Sequence, residues 1–483
     1  MKRFLLGMAA LLLAGCSAHL PRVQGVAGSS SGPAVPWTPP QKEPTALNLP
    51  AAAVPEPELR ARWRSLTLAE AVGIALENNP DTRLAWANAR AAAAGFGAAR
   101  SAWLPALSAD ATLARSRQES DPAQPNDYEP YTAFRYGAGL NWLLFDFGGR
   151  GAAVDESRQA LLAAGWTHNA VIQNTILQTV TAYYTCAGAR AMLEANRASL
   201  AAAETALKAA EEKRGVGLAT GADVLQARTA WSQAMLEVQN AEGDLRISRG
   251  TLAVSMGYPA HSFGEFDAVI PEVPADTLMQ QVDDLVERAL AGRPDLQASR
   301  ARARAADANV RQARAGLLPA LSASVAADRS RLYGQETRTD NFSGALRVEM
   351  PIFAGFSRHY QLARARAEAD AAKETVRAGE QDVSYQVYAS HSDLLTARAR
   401  VATTNDLFAS AQQSEQVALG RYKEGVGSIL DLLTAQRSLA QARAQQVNGR
   451  LSWHIALARL ARDIGLLGTH GENPLIPEST PTR

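Results

Sequence analysis

The chain has little of what soluble catalysts are built from. Only two of its 483 residues are cysteine and seven are histidine, and no CxxC, HExxH or GxxxxGK occurs, so the common metal and phosphate signatures are missing. The histidines, His359, His391 and His454 among them, do not fall at ligand spacings. No enzyme, cofactor or metal is expected. Charge of one sign is missing too: 49 Lys and Arg face 48 Asp and Glu, leaving no field that would recruit nucleic acid. Aromatics are only 6% of a chain that is 47% hydrophobic, and much of the apolar share is alanine, a helix former too small to fill a thick core. Long, thin, closely packed helices fit this composition better than a row of globular domains.

The N-terminus has a short basic region, Met1-Lys2-Arg3, and an apolar run, Phe4 to Leu13, too short to span a bilayer stably; Leu13-Ala14-Gly15 then precede Cys16. Residues 1–15 look like a bacterial lipoprotein signal, in which Cys16 becomes the first mature residue and carries acyl chains. Ser17, where an aspartate would divert sorting, resembles the outer-membrane pattern. An ordinary secretory signal with an incidental cysteine is the alternative. Cleavage before Cys16 removes Lys2 and Arg3, leaving 47 basic against 48 acidic side chains, so the mature chain is essentially neutral. A lipidated Cys16 leaves Cys186 without a partner in the chain. Cys186 stands in a series of sevens with Leu193, Leu200 and Leu207 and reads as a buried small hydrophobe of a helix seam. Nine prolines between Pro21 and Pro57 mark residues 16–65 as an extended tether.

Beyond the tether the chain repeats itself. AVGIALENNPD from Ala71 corresponds to LVERALAGRPD from Leu285, and AARSAWLPALSA from Ala98 to QARAGLLPALSA from Gln312. Leu144-Phe145-Asp146 before Arg150 matches Ile352-Phe353-Ala354 before Arg358, and DVLQA from Asp223 matches DLLTA from Asp431. A period near 210 residues is too long for a solenoid unit, so this is a duplicated module. Proline is absent from Tyr131 to Tyr258 and from Ile352 to Asn473, stretches that read as long helices over about Gly151 to Arg214 and Arg358 to Arg421. Val387, Leu394, Val401 and Phe408 mark a seam, with Val376 and Val383 joining after a four-residue stutter.

Ahead of each long helix the period changes to two. Phe134, Tyr136, Ala138, Leu140 and Trp142 alternate with polar or small residues, as do Phe342, Gly344, Leu346, Val348 and Met350. Their partners are Leu107 to Leu113 and Leu321 to Ala327, with polar loops over about Gln118 to Pro130 and Leu332 to Asp340. Each half thus supplies one two-faced hairpin, of a length that suits a transmembrane barrel. Four strands leave two open edges, which hydrocarbon does not tolerate, so several copies must combine. The expected fold is mostly α with a membrane β-barrel, built from a duplicated module of short and long helix pairs plus a β-hairpin. Its bounds are a first repeat at 66–258 with strands at about 106–117 and 132–145, a linker at 259–280, a second repeat at 281–466 with strands at about 320–331 and 341–352, and a tail at 467–483.

From Leu66 to Leu466 the body resembles the TolC family of outer-membrane efflux proteins, on the paired LPALSA segments, Arg421-Tyr422 with Gly425, and Asp431 through Leu439. With Cys16 it is similar to the lipoprotein branch that serves resistance-nodulation-division (RND) pumps. The resemblance implies a homotrimer in which a twelve-stranded outer-membrane barrel continues into a periplasmic tunnel of twelve helices, forming a passive duct completed by a periplasmic adaptor protein and an inner-membrane pump. A channel of a type I protein-secretion system is the second transport reading. A lipid-anchored coiled-coil scaffold is a third, but it leaves the amphipathic strands unexplained.

The resemblance also implies a gate. In the family, aspartates from three copies form rings at the periplasmic helix turns; Asp431 falls on one such position and Asp223 on its counterpart in the first repeat. Leu430 matches an apolar ring, and Tyr422 and Arg437 match positions that hold the turn closed. Thr434 stands where relatives often carry a second aspartate, which weakens any anionic gate. Both aspartates also follow Gly-rich turns and precede apolar helices, so a helix-capping role is open for each, and Arg437 could equally be a solvated or intersubunit pairing residue. Substrate identity is not legible, because selection is expected in the pump.

Overall fold

The computed structural model describes residues 63–116, 131–262, 264–267, 269–274, 281–333 and 337–467. The signal, Cys16 and nearly all of the tether lie outside the described residues, as does the tail from residue 468.

Two sets of elements follow one another in the same order. α1 (Leu68–Asn78) and α2 (Pro80–Arg100) lead into β1 (Ala106–Ser116) and β2 (Tyr131–Phe145), then α3 (Gly149–Gly215) and α4 (Gly221–Ser255). Next come α5 (Val282–Gly292), α6 (Pro294–Ala315), β3 (Ala320–Tyr333), β4 (Thr337–Glu349), α7 (Ser357–Lys423) and α8 (Ile429–Asp463). The duplication reaches to lengths: α3 and α7 have 67 residues each, and α4 and α8 have 35 each. At 1.5 Å per residue the longer pair run for about 100 Å.

Local chemistry sets the breaks. Pro80 and Pro294 occupy the first helical position, where a missing N–H costs nothing, and hold the preceding residue extended. Asn79 caps α2 by accepting from the Asp81 amide at 2.8 Å, and its side-chain amide donates to the Ser255 carbonyl at 3.2 Å, tying the break to the end of α4. Arg293 takes the equivalent place in the second repeat, where it is buried and bonded to Asp295 at 2.6 Å and Gln386 at 2.7 Å.

The seams fill the interior. Cys186 is fully buried with Leu193, Val238, Leu245 and Leu252, and burial pushes its thiol up from the ordinary cysteine value. Val383, Val387, Leu394 and Val401 pack with Leu285, Leu296, Trp453 and Leu457 in a second core. Ala206, Ala210, Ala227, Ala301 and Ala308 are also fully buried, so alanine serves to let helices approach closely.

The four strands form one antiparallel sheet in the order β1-β2-β3-β4, and the two hairpins join through β2 and β3. Its register sets Leu107 opposite Leu140, Leu140 opposite Val325, and Val325 opposite Gly344, a row of apolar and small residues across all four strands. That face is open: Leu107 is 78% exposed, Phe342 79% and Leu346 73%. The second hairpin is tighter than expected, since β3 continues to Tyr333 and β4 starts at Thr337, where a loop from Leu332 to Asp340 was expected. Arg329 grips both carboxylate oxygens of Asp340 across the strands, at 2.5 and 3.0 Å, which carries pairing past the end of the apolar pattern. β4 stops at Glu349 rather than near 352, ahead of Pro351, which has no N–H for the ladder.

Where strand turns into long helix, Phe147 and Phe356 take positive φ beside Gly148 and Gly355. Arg150 donates to the carbonyls of Leu143 and Leu144, faces Asp146, and lies over the Trp103 ring at 4.4 Å; Arg358 donates to the Gly316 carbonyl. The repeated arginines therefore anchor the long helices to the bases of the strands.

Candidate channel gate at the helix turns

The α3–α4 and α7–α8 turns share one geometry. Gly217 and Gly425 both sit at φ +77°, a left-handed conformation that closes the long helix without a Cβ penalty. Leu218 then returns its amide to the Lys213 carbonyl at 2.8 Å, and Val426 to that of Arg421 at 3.0 Å.

Three residues after each glycine comes an N-cap hydroxyl, and three after that an aspartate. Asp223 accepts from the Thr220 amide at 2.7 Å and hydroxyl at 2.8 Å, while its own amide donates to that hydroxyl oxygen at 3.2 Å. Asp431 accepts from the Ser428 amide at 3.3 Å and donates its amide to the Ser428 hydroxyl at 3.1 Å. Both are complete capping boxes. The Thr220 amide and hydroxyl hold the Asp223 carboxyl below the usual carboxylate range. The Ser428 hydroxyl and amide do the same for Asp431, helped by the charge of Arg421.

Beneath the turns, Ala206, Ala210, Val224, Ala227, Tyr422, Ile429 and Leu432 form a core that gathers all four helix ends. Tyr422 is buried there with its hydroxyl unpartnered among the described residues, and burial together with the nearby charge of Asp223 pushes the phenol up. Leu430, next to the buried Ile429, is 60% exposed and so points away from this core. Arg437 is exposed farther along α8 and makes no ion pair among the described residues, so the structure brings Tyr422 and Asp223 together but leaves Arg437 apart. Cys16 lies outside the described residues.

One contact was missed in the sequence. Lys213, from the last turn of α3, lies over the Tyr422 ring at 4.2 Å and donates to the Tyr422 carbonyl. The 208-residue offset that superposes Gly217 on Gly425 also puts Lys213 on Arg421, and that correspondence was its available signal.

Residues 71–258 and 285–466 match the family model described as outer membrane efflux protein, which spans most of the chain. The chain belongs to the outer membrane efflux protein family. This family consists of channel and transport proteins, and the chain is an outer-membrane efflux channel protein with the duplicated TolC-like fold. It is 28% identical over 422 residues to Protein CyaE of Bordetella pertussis, covering 85% of this chain and 86% of that one. It is 27% identical to Outer membrane protein OprJ of Pseudomonas aeruginosa, over 83% of this chain and 85% of the relative. Among solved structures, a membrane protein from Pseudomonas aeruginosa superposes with a TM-score of 0.76 at 26% identity, covering 87% of this chain and 99% of that one. The outer-membrane channel OprN superposes with a TM-score of 0.74 over 88% of this chain and 98% of that one; at 22% identity it speaks for the fold alone. In this outer membrane efflux protein, the two repeat-related turns and the Lys213–Tyr422 contact between repeats make up the candidate gate.

Proposed function

We propose that the protein is a passive duct, the outer-membrane component of a tripartite efflux system, gated at the α3–α4 and α7–α8 turns. The observation that carries this reading is the four-stranded sheet with an exposed apolar face and two free edges, β1 and β4, continuous with helices of 67 residues. In hydrocarbon, unpaired edges have no water to bond, so β4 of one copy pairs with β1 of the next. Three copies give twelve strands and twelve long helical segments, the homotrimer. Aromatic rows flank the apolar face, with Trp103, Trp142, Phe145, Phe353 and Phe356 at its helix end and Phe134, Tyr136 and Phe342 toward its far end, as interfacial girdles do.

In the closed trimer, Asp431, Leu430 and Asp223 constrict the tunnel and Tyr422 locks the turn. Three carboxylates gathered in one ring favour cations and bind divalent ions. The exposed Val216, Leu218 and Val426 at the turns supply apolar contacts for a periplasmic adaptor, whose binding selects the open state, with an RND pump in the inner membrane beyond. Cys16 carries the lipid anchor and residues 16–65 tether it to the repeats. The capping boxes and the gate are compatible, because a capping carboxylate keeps its charge.

The test is single-channel conductance of the detergent-purified, full-length protein in a planar bilayer. Small, cation-selective, divalent-blocked events are expected. A well-assembled oligomer that never conducts would overturn the duct, and an intact mass without acyl chains would overturn the anchor.

A further inference from the structure

The apolar face of the sheet ends in a cluster of charge. Along β3 the residues on this face are Leu321, Ala323, Val325 and Ala327, then Arg329 and Arg331; along β4 they are Val348, Leu346, Gly344 and Phe342, then Asp340 and Arg338. Arg329 is opposite Asp340, and Arg331 is directly opposite Arg338. Two like charges facing each other across a strand pair repel. Among the described residues the carboxylate facing this pair is Asp340, which Arg329 already holds at two oxygens and Arg338 reaches only at 3.7 Å. Arg331 lies over the Tyr333 ring at 5.5 Å, and both Arg331 and Arg338 are exposed.

Depth locates the cluster. From Leu321 to Arg329 the strand rises about 26 Å, or about 20 Å of height at a tilt near 40°. That is the upper edge of an apolar band, in the rows of Tyr136 and Phe134, which sit opposite Arg329 and Arg331 on β2. Guanidinium groups at this level face headgroups rather than acyl tails, and Arg331 and Arg338 together offer two planar forks of the geometry that grips phosphate. The first hairpin has no such pair in these rows: its outward residues there are Ala111 and Leu113 beside Tyr136 and Phe134.

Resting on the outer-membrane reading, we propose that Arg331 and Arg338, with Arg329 oriented by Asp340, form an outward-facing site for the phosphate of a phosphorylated glycolipid in the outer leaflet. The bound phosphate relieves the Arg331–Arg338 repulsion, while the acyl chains lie along the apolar rows of Phe342, Leu346 and Val348 below. Asp340 keeps the site from being uniformly cationic and fixes the Arg329 fork in place.

The test is native mass spectrometry of the full-length protein in detergent with three probes: diphosphorylated lipid A, the same lipid stripped of its phosphates, and inorganic phosphate. Diphosphorylated lipid A is expected to be retained, and its binding to weaken roughly tenfold in the Arg331→Gln/Arg338→Gln double variant, the loss of about one strong ionic contact. Arg347→Gln, on the opposite face of β4, is expected to bind as wild type does. Arg331→Lys/Arg338→Lys keeps the charge without the fork and is expected to fall between, which gives an answer even where the glutamine variant fails to assemble. Equal retention of the stripped lipid, equal occupancy by inorganic phosphate, or undiminished binding in both double variants would overturn the site. Conductance of the same wild-type preparation reports separately on the channel.

Discussion

The ammonium of Lys213 lies over the ring of Tyr422 at 4.2 Å and donates to that residue's main-chain carbonyl, so the last turn of α3 in the first repeat grips the last turn of α7 in the second. Any outward movement of the α7–α8 pair away from α3 must break this contact. Lys213→Met removes both the cation–π contact and the hydrogen bond, worth about 1 kcal/mol in each protomer. Were three copies to open together, the closed-to-open balance would move by roughly two orders of magnitude. Single-channel recordings of the variant should show larger and longer openings. Tyr422→Phe keeps the ring and deletes a hydroxyl that has no partner among the described residues, so its conductance should stay near wild type; a leak equal to that of Lys213→Met would place the lock in the phenol instead.

Asp431 is expected to serve two purposes that substitution can separate. Asp431→Asn retains an oxygen for the Ser428 amide but removes the charge, so helix content should hold while cation preference and divalent block fall. Asp431→Ala should lose both. Because Ser428 and Thr220 hold their aspartates below the ordinary value near 3.9, the capping contribution is fully present above that pH and is lost as pH falls through the lower folded value. Hydrogen-exchange protection at the α4 and α8 starts, taken relative to the intrinsic amide rate at each pH, should therefore hold down to about pH 4 and fall only below it.

Much of the fold is legible in the chain itself because the duplication appears twice in independent signals, the proline-marked breaks before α2 and α6 and the period-two strands. The sevens through Val387, Leu394 and Val401 mark residues that are buried. What escapes is where the two repeats have diverged. Lys213 and Arg421 are equivalent in register, yet only Lys213 reaches across to the other repeat, because its partner is the tyrosine that replaces Arg214 at the same offset. The extension of β3 and β4 escapes for a related reason: Thr337 to Asp340 has no apolar alternation, and its pairing depends on an ion pair that periodicity does not register.

His454 should give the periplasmic helices an acid-sensitive core. It is buried, stacks on Tyr184 at 4.6 Å between ring centroids, and its Nε2–H donates to the Pro271 carbonyl at 3.1 Å. Burial lowers its pKa below the ordinary 6.5, although the Pro271 bond works the other way. The unfolded chain then takes up a proton that the folded chain refuses, so stability falls as pH drops below about 6.5, by up to about 1 kcal/mol between pH 6.5 and 5.5. His454→Gln should flatten that dependence. Thermal unfolding midpoints at pH 7.5 and 5.5 decide it, and an equal acid shift in the variant would assign the sensitivity to other groups.

Gly257 and Gly465 offer a comparison within one molecule, since the 208-residue offset makes them equivalent and both sit at left-handed φ, +82° and +79°, just past α4 and α8. Alanine at either position costs about 1 kcal/mol for the backbone alone. At Gly465 the added Cβ would find its nearest neighbour, Arg293 Cα, at an ordinary 3.5 Å. At Gly257 it would lie 2.6 Å from the Asn78 carbonyl oxygen and 3.0 Å from the Asn79 amide, both main-chain atoms that cannot swing aside. Relief requires moving the α1–α2 break away from the end of α4, at the expense of the Asn79–Ser255 and Asn78–Tyr258 hydrogen bonds, each 3.2 Å. Gly257→Ala should therefore destabilise by about 3 kcal/mol or more and Gly465→Ala by about 1 kcal/mol. Unfolding in denaturant separates the two: equal midpoints would mean that the α1–α2 break moves freely, and that Asn79 does not tie it to the tunnel helices.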